Sequence, residues 1–550
     1  MFNLYHIAKN SLKSGEVALS IAENNISNAN NIQYHREKVI IGANSGKNIP
    51  EGYIGNGACI NDIFRINDEI SNEKIRYSNG VLHAIYAKNN KLQHLDNFFS
   101  NNIENFSKQL NDVFDALESI AQQPSNGIYR TNITLELESL VHQFNKIGKE
   151  IKNIELNATK DISFSIETIN NLSKELANIN CLISQSINKK IPLNLLDKRD
   201  ALLEELSKKI GILTNINEEE IVYIKLENGS TLLDNNETYP LIYEKNNIQN
   251  ITISSTNNNQ TQEKKIKINS NNILKGELGG LISFYNQNIP KLKEKINQAI
   301  LKFVQLFNTV NHQGYDFYHK PGGDIFSYKL FNHTGSNSNS GNAKISNIET
   351  NDSNNIFPST YNLLYESDQW KIVKTFNGKK ETIECQIKQE NLKSVISFDN
   401  LSLNLDGLPK NGDKFKLNVA MDIAESIKLN LSDGNKIASS NDKNTYNNNF
   451  NILELIDIQN KKIFDNKTFS ENYADFISYI GQTTKNIQNI QDSQEKINKQ
   501  LHLEYENKIG INLNEEYVYI ELYRQYYYAN IQLIKIASSL FESLLGIVKK

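Results

Sequence analysis

Two apolar stripes at helical spacing, one at each end of the chain, set the strongest limit on its fold. Near the amino end Leu4, Ala8, Leu12, Gly15, Leu19, Ala22 and Ile26 recur at steps of four and three, which lines one face of a helix. At the far end Ile520, Tyr523, Tyr527, Ile531, Ile534, Ser538, Phe541, Leu545 and Val548 do the same over a length suited to a coiled-coil strand. A stripe that long is rarely left bare on a soluble monomer, so the terminal helices are expected to pack on each other or on neighbouring subunits. A helix docked on a globular core is the other reading of either stripe taken alone. Asn24, Asn25, Ser27, Asn28, Asn30 and Asn31 carry side chains that compete for backbone hydrogen bonds. They place the end of the first helix in an Asn-rich turn ahead of Tyr34-His35-Arg36.

Between the ends the apolar period changes twice. Asn67 to Gln123 is helical in period until Pro124-Ser125-Asn126-Gly127 breaks it, and a second helical run follows with no Gly or Pro between Lys149 and Ile191. Continuous from Ile128, that helix would span about 90 Å at ~1.5 Å per residue; an interruption at Asp161-Ile162-Ser163 would split it. Past Gly211, Ile221 to Leu226 and Ser230 to Leu233 flank Asn228-Gly229 and read as a hairpin. Short strands are expected at Leu241-Ile242-Tyr243, Ile251-Thr252-Ile253 and Ile266-Lys267-Ile268, and helix again from Lys291 to Val310. Asn332 to Asn342 and Asn441 to Asn451 read as polar linkers. They enclose a strand-rich segment that includes Trp370 to Val373, Ile383 to Ile387 and Phe415 to Val419. Phe469 to Glu506 returns to helix.

The expected fold class is therefore α+β and multidomain, an elongated, coiled-coil-like helical stem formed by the N- and C-terminal segments with an inserted all-β domain. Residues 1–45 with 511–550 are expected to form a terminal helical assembly domain. Residues 46–335 with 441–510 form the stem, including a small hairpin region at about 211–270, and 345–435 form the β insertion. The chain goes out and comes back, which brings its ends together.

Chemistry is sparse along the chain. Charged residues make up 22% and the net charge is -4, so nothing in the overall balance calls for nucleic acid, which demands clustered positive charge. Cys59, Cys181 and Cys385 lie far apart without a C-x-x-C, which indicates neither a zinc site nor a disulfide framework. Gly52-Tyr53-Ile54-Gly55-Asn56-Gly57 lacks the Lys and Ser/Thr of a phosphate loop and reads as a tight turn. Asp197-Lys198-Arg199-Asp200 reads as a salt-bridged helix start in preference to an acid–base pair. Asp316 with Asp324 is weak evidence for a cation, and Trp370 is most simply a β-core residue. No catalytic group, cofactor or metal is expected. No stretch approaches the roughly 20 apolar residues that cross a bilayer, and a cleaved secretory signal is not expected.

Asn24-Asn25-Ile26-Ser27-Asn28 with Asn30 and Tyr34 resembles the amino-terminal motif of the bacterial flagellar axial proteins of rod, hook and hook–filament junction. Gly510-Ile511-Asn512-Leu513-Asn514-Glu515-Glu516-Tyr517 and Gln525 to Asn530 resemble the carboxyl end of the junction branch of that family. So do Asn194 to Asp200, Gly276-Glu277-Leu278-Gly279-Gly280, Phe307-Asn308 with His312 to Asp316, and Phe398 to Leu401 through Asp413, in order along nearly the whole chain. Gln33 stands where the family usually has Gly, and Asn514 where it usually has Asp. A side chain at position 33 removes glycine's access to positive φ.

The resemblance implies a secreted structural adaptor, not an enzyme, exported through the flagellar type III channel. Its implied partners are copies of itself in a ring, the hook protein, the second junction protein, and an export chaperone on the carboxyl-terminal helix, with no nucleic acid and no membrane insertion. The contacts are expected at Leu4, Leu12, Leu19, Asn24, Asn25, Ile26, Asn28 and Tyr34, and at Tyr523, Tyr527, Asn530, Ile534, Phe541 and Leu545. A hook or distal-rod subunit is the nearest alternative, and an exported peptidoglycan hydrolase on an axial scaffold a remoter one.

Overall fold

A computed structural model of the chain describes all residues except 1, 51, 187–189, 245–251, 256–265, 270–272, 337–338, 352–355, 391–392, 446–447, 464–465 and 549–550. Its helices are α1 (Phe2–Ser27), α2 (Glu69–Gln122), α3 (Gly127–Ser186), α4 (Leu193–Lys209), α5 (Gly276–Ser283), α6 (Ile289–Gln313), α7 (Ile423–Ser426), α8 (Phe450–Asp457), α9 (Phe469–Ile509) and α10 (Leu513–Val548). α3 runs for 60 residues without a break at Asp161, about 90 Å at ~1.5 Å per residue. Ile162 is fully buried there, so the packed face carries the helix through the polar residues beside it.

The chain divides into two compact units, one of residues 1–82, 170–239 and 493–550 and the other of 83–169 and 240–492. The first holds α1, α4 and α10. After α1 the strands Glu37–Ala43 and Ala58–Arg65 pair antiparallel, with a short hairpin of Lys47–Ile49 and Gly52–Ile54 at their far end. Gly52–Ile54 is thus a strand of that hairpin where a tight turn was expected, and Gly57 takes a positive φ where a Cβ would press on the Ile7 carbonyl. A four-stranded sheet runs in the order Ile212–Ile216, Val222–Leu226, Thr231–Asp234, Glu237–Thr238, with the expected Asn228-Gly229 turn between its second and third strands. Buried Asn180 of α3 anchors it, donating to the Val222 carbonyl at 2.9 Å and accepting from the Val222 N–H at 3.1 Å.

In the second unit α2, α3, α6 and α9 share a phenylalanine-rich core. Phe106 stacks on Tyr473 with centroids 4.0 Å apart, and Phe303 lies 4.5 Å from Phe469. Helix begins earlier than expected, at Gly276, and passes through a π-helical turn at Phe284–Asn288 into α6. Pro290, near the start of α6, has no N–H and its ring crowds the preceding turn, and a π turn relieves both.

The β segment forms two antiparallel sheets. One runs Phe331–Gly335, Lys414–Val419, Ser359–Glu366, Gln369–Phe376, Lys379–Ile383; the other runs Lys344–Thr350, Leu401–Asp406, Lys393–Phe398, Gln386–Glu390. Their inner faces meet, with Tyr361 and Phe398 rings 5.3 Å apart and Trp370 buried. Three expectations need correction. Asn332 to Gly335 is strand, because pairing with Phe415 to Asn418 satisfies its backbone despite polar side chains. Ile383 to Ile387 is not one strand, since the chain leaves one sheet after Ile383 and enters the other at Gln386. The linker expected to reach Asn451 already turns into α8 at Phe450, with Asn451 buried and donating to the Ala438 carbonyl. Of the strand expected at Ile251 to Ile253, residue 251 lies outside the described residues and the strand runs Thr252–Ser255.

Candidate assembly interface

α1 and α10 pack antiparallel, and the face of α1 that is buried is its small-residue face. Ala8, Ser11, Gly15, Ala18, Ala22 and Asn25 are buried at alternating steps of three and four. Small side chains there let α10 approach closely: a Cβ on Gly15 would lie 2.9 Å from Tyr526 Cδ1. The facing positions on α10 are Glu516, Ile520, Tyr523, Tyr527, Asn530, Ile534 and Ala537, again at heptad steps and buried or half-buried. Ser11 and Ser14 also hold the strand beside α1, the first accepting from the Ala58 N–H at 3.2 Å and the second donating to its carbonyl at 3.3 Å.

The Asn-rich motif closes the pair with a polar clasp. Asn25 uses all four of its hydrogen-bonding positions. Its Nδ2 donates to the Glu37 carbonyl at 2.9 Å and to Glu516 Oε2 at 3.1 Å, and its Oδ1 accepts from the Glu37 N–H at 3.0 Å and the Tyr34 hydroxyl at 2.8 Å. Burial, with Glu37 and Asp197 nearby, pushes the Tyr34 hydroxyl well above the usual phenol range, so it stays a donor. Arg36 donates from Nε to Glu516 Oε1 at 2.6 Å and from Nη1 to Glu515 Oε2 at 2.9 Å, while its guanidinium lies over the Tyr519 ring at 5.9 Å. Burial opposes its charge, but the two carboxylates outweigh that and raise its pKa.

Gln33 fits the turn without glycine. The Tyr34 N–H donates to the Asn31 carbonyl at 3.0 Å, and Gln33 does not have a positive φ, so the turn is one that any L-residue tolerates.

A second charged network lies behind the clasp. His35 contacts Asp197 at 2.8 Å and the Tyr505 hydroxyl at 2.9 Å; Arg65 reaches Asp197 at 3.0 Å and Asp200 at 2.6 Å; Arg199 pairs with Asp200 and Glu220. Burial raises the Asp200 pKa, but Arg199 and Arg65 outweigh it and hold the carboxyl below its ordinary value. The Asp197-to-Asp200 cluster is thus an ion-paired part of α4, inside the helix and past its first turn. A cleft of about 420 Å³ opens beside it, lined in part by Ile32, Arg76, Tyr505 and Ile509. Its buried cation Arg76 is already held by Glu69 and Thr214.

Of the expected contact residues, Asn25, Tyr34, Tyr523, Tyr527 and Ile534 lie in the seam or clasp. Asn530 is buried and donates to the Tyr526 carbonyl at 2.8 Å. Asn24 and Asn28 close the end of α1, Asn24 donating to the Tyr34 hydroxyl and Asn28 to the Asn24 carbonyl. Leu4, Leu12, Leu19 and Ile26 sit half-exposed on the shoulder of α1. Phe541 and Leu545 are exposed, on the stretch of α10 that continues past the start of α1. Arg36, Glu515 and Glu516 were not among the expected contacts, although an arginine after the motif and a glutamate pair opening the last helix are a legible charge match. Of the small seam residues Ala8, Gly15 and Ala22 lie on the stripe read from the sequence, while Ser11 and Ala18 carry no such signal.

α10 also carries a second apolar stripe that α1 leaves uncovered. Val518, Leu522, Ala529, Leu533, Ile536, Leu540, Leu544 and Ile547 follow helical steps on a face turned away from the seam, and all but Leu533 are exposed.

Among the described residues, no group of three or more His, Cys, Asp or Glu side chains is placed to hold a metal. Asp316 caps its own loop, accepting from the Tyr318 and Lys320 N–H groups, and Asp324 pairs with His312. None of the described helices is long and apolar enough to cross a membrane.

Comparison with known proteins bears out the family resemblance. Residues 92–326 match the model of the flagellar hook-associated protein FlgK helical domain. The chain is 25% identical to flagellar hook-associated protein 1 of Escherichia coli over 560 aligned residues, covering all of both chains. It is 25% identical to that of Salmonella typhimurium over 562, again covering all of both. In fold it resembles the flagellar hook junction protein FlgK from Burkholderia pseudomallei, with a TM-score of 0.69 at 15% identity, over 79% of this chain and 99% of that one.

Proposed function

We propose that this chain, similar from end to end to flagellar hook-associated protein 1, is an exported structural adaptor of the bacterial flagellum that polymerises at the hook–filament junction and joins hook to filament. The uncovered stripe of α10 carries the reading. The seam is already satisfied by α1, so the apolar face from Val518 to Ile547 is the surface left for neighbours. Its burial between copies supplies a favourable term of about 25 cal/mol per Å² of apolar area. Contacts between unlike faces of identical subunits form a ring where the rotation between neighbours closes, which is the arrangement proposed for the junction. The hook protein and the second junction protein are its partners at the two ends of that ring. Before assembly the same stripe suits helix-in-groove capture by an export chaperone. Its role is structural and not catalytic.

The test is Ile536→Asp with Leu540→Asp. The double variant should keep its helical circular dichroism, while cells carrying it build hooks and shed or lack filaments. Normal filament attachment would overturn the proposal. Deleting Leu513 to Lys550 should also abolish chaperone binding.

A further inference from the structure

We infer that the phase in which α1 and α10 pair is set by the polar cluster of Asn25, Arg36 and Glu516, and not by the apolar seam that it closes. The seam itself discriminates poorly. In the middle of the helix Ser11, Gly15, Ala18 and Ala22 are all small, so sliding α1 by one heptad sets Ser11 in the place of Ala18 and Gly15 in that of Ala22.

The cluster does not survive such a slide. Tyr526 would meet Ala8 or Ala22 in place of Gly15, where a Cβ lies 2.9 Å from its ring, a contact the ring can relieve by a small shift. The polar loss is larger. Asn25 and Glu516 are both buried, and their bond at 3.1 Å is joined by the Arg36–Glu516 pair at 2.6 Å. A slide strips buried Glu516 of both donors and takes from Asn25 and Arg36 their carboxylate partner. Asn25 cannot follow its partner, because its amide is tied on both sides to the Glu37 backbone. A single polar residue at a seam position is a known device for fixing coiled-coil register.

Disulfide trapping in the full-length chain tests this, with Cys59, Cys181 and Cys385 replaced by serine. Ala18→Cys with Tyr523→Cys reports the observed phase, since both residues border one small cavity. Ser11→Cys with Tyr523→Cys reports a one-heptad slide. The first pair should form its disulfide at least about ten-fold faster than the second. In the Asn25→Leu, Arg36→Met, Glu516→Leu background, which leaves no charge of the trio behind, helical circular dichroism should persist. The two pairs should then form within about two-fold of each other. Retention of the ten-fold preference in that background overturns the inference, as does its absence from the parent. Should the triple variant lose helix, Asn25→Ala is read instead: a fall in preference of about three-fold or more is expected, and an unchanged preference overturns the inference.

Discussion

Gly15 of α1 faces Tyr526 of α10, and the missing side chain of the first makes room for the ring of the second, which an added Cβ would approach to 2.9 Å. Gly15→Leu should therefore push α10 off its seat and destabilise the terminal pair by about 1–3 kcal/mol. Gly15→Ala should come near neutral, because alanine's helix preference of about 1 kcal/mol offsets a contact that a tyrosine ring can relieve by a small shift. Far-UV circular dichroism melts of the two variants would separate these outcomes.

Arg130 is almost wholly buried at the start of α3 and donates to the carbonyls of Pro124 and Ile437 and the Ser439 hydroxyl at 2.7, 3.1 and 2.7 Å. Its guanidinium also lies 5.3 Å from the Phe317 ring, so one side chain ties two loops to the α2–α3 turn. Arg130→Ala should cost about 3–5 kcal/mol by leaving those acceptors unpaired in the interior. Urea unfolding of the purified variant measures it, and Arg130→Lys should recover only part, since a point charge cannot match a planar fork.

Gly280 faces the backbone of α2, where an added Cβ would lie 2.1 Å from the Ala84 carbonyl oxygen. Unlike a tyrosine ring, a helix carbonyl cannot swing aside. Gly280→Ala should cost about 3 kcal/mol, at the upper end of overpacking effects, and lower the urea midpoint accordingly.

Two buried carboxyls should pull stability in opposite directions with pH. Asp200 titrates below its ordinary value in the folded chain, because its two arginines outweigh burial; its contribution is present above about pH 4 and is lost as pH falls through the folded value. Asp200→Asn should flatten that acid limb and lower neutral stability by about 3–5 kcal/mol. Glu294 is raised by burial, only partly offset by the Asn377 N–H it accepts. The folded state then holds its proton more tightly, so stability falls as pH rises from the ordinary carboxylate value through the raised one. Glu294→Gln should remove that loss while keeping the contact to Asn377. Urea midpoints from pH 3 to pH 7 check both signs.

The long helices and hairpin turns were legible because their signals are local. Heptad steps mark α3 along its length, and Asn228-Gly229 marks its turn whatever surrounds it. Elements whose residues argue against them were not. Asn332 to Gly335 is polar yet forms a strand because a neighbour offers a matching backbone edge. The chain's switch between sheets at Glu384-Cys385 carries no composition signal.

The terminal stripes show the same division most clearly. Periodicity alone determined that each end is a helix with a face to bury, and the Asn-rich motif that the first one stops where it does. Which face is buried was decided only in three dimensions. The small residues of α1 form the seam, where they let the two backbones approach closely, and that leaves Leu12 and Leu19 half-exposed on the shoulder. On α10 it covers the tyrosine stripe and exposes a second one, from Val518 to Ile547. Spacing states that a face is apolar; only the geometry of the partner states whether anything is left to cover it.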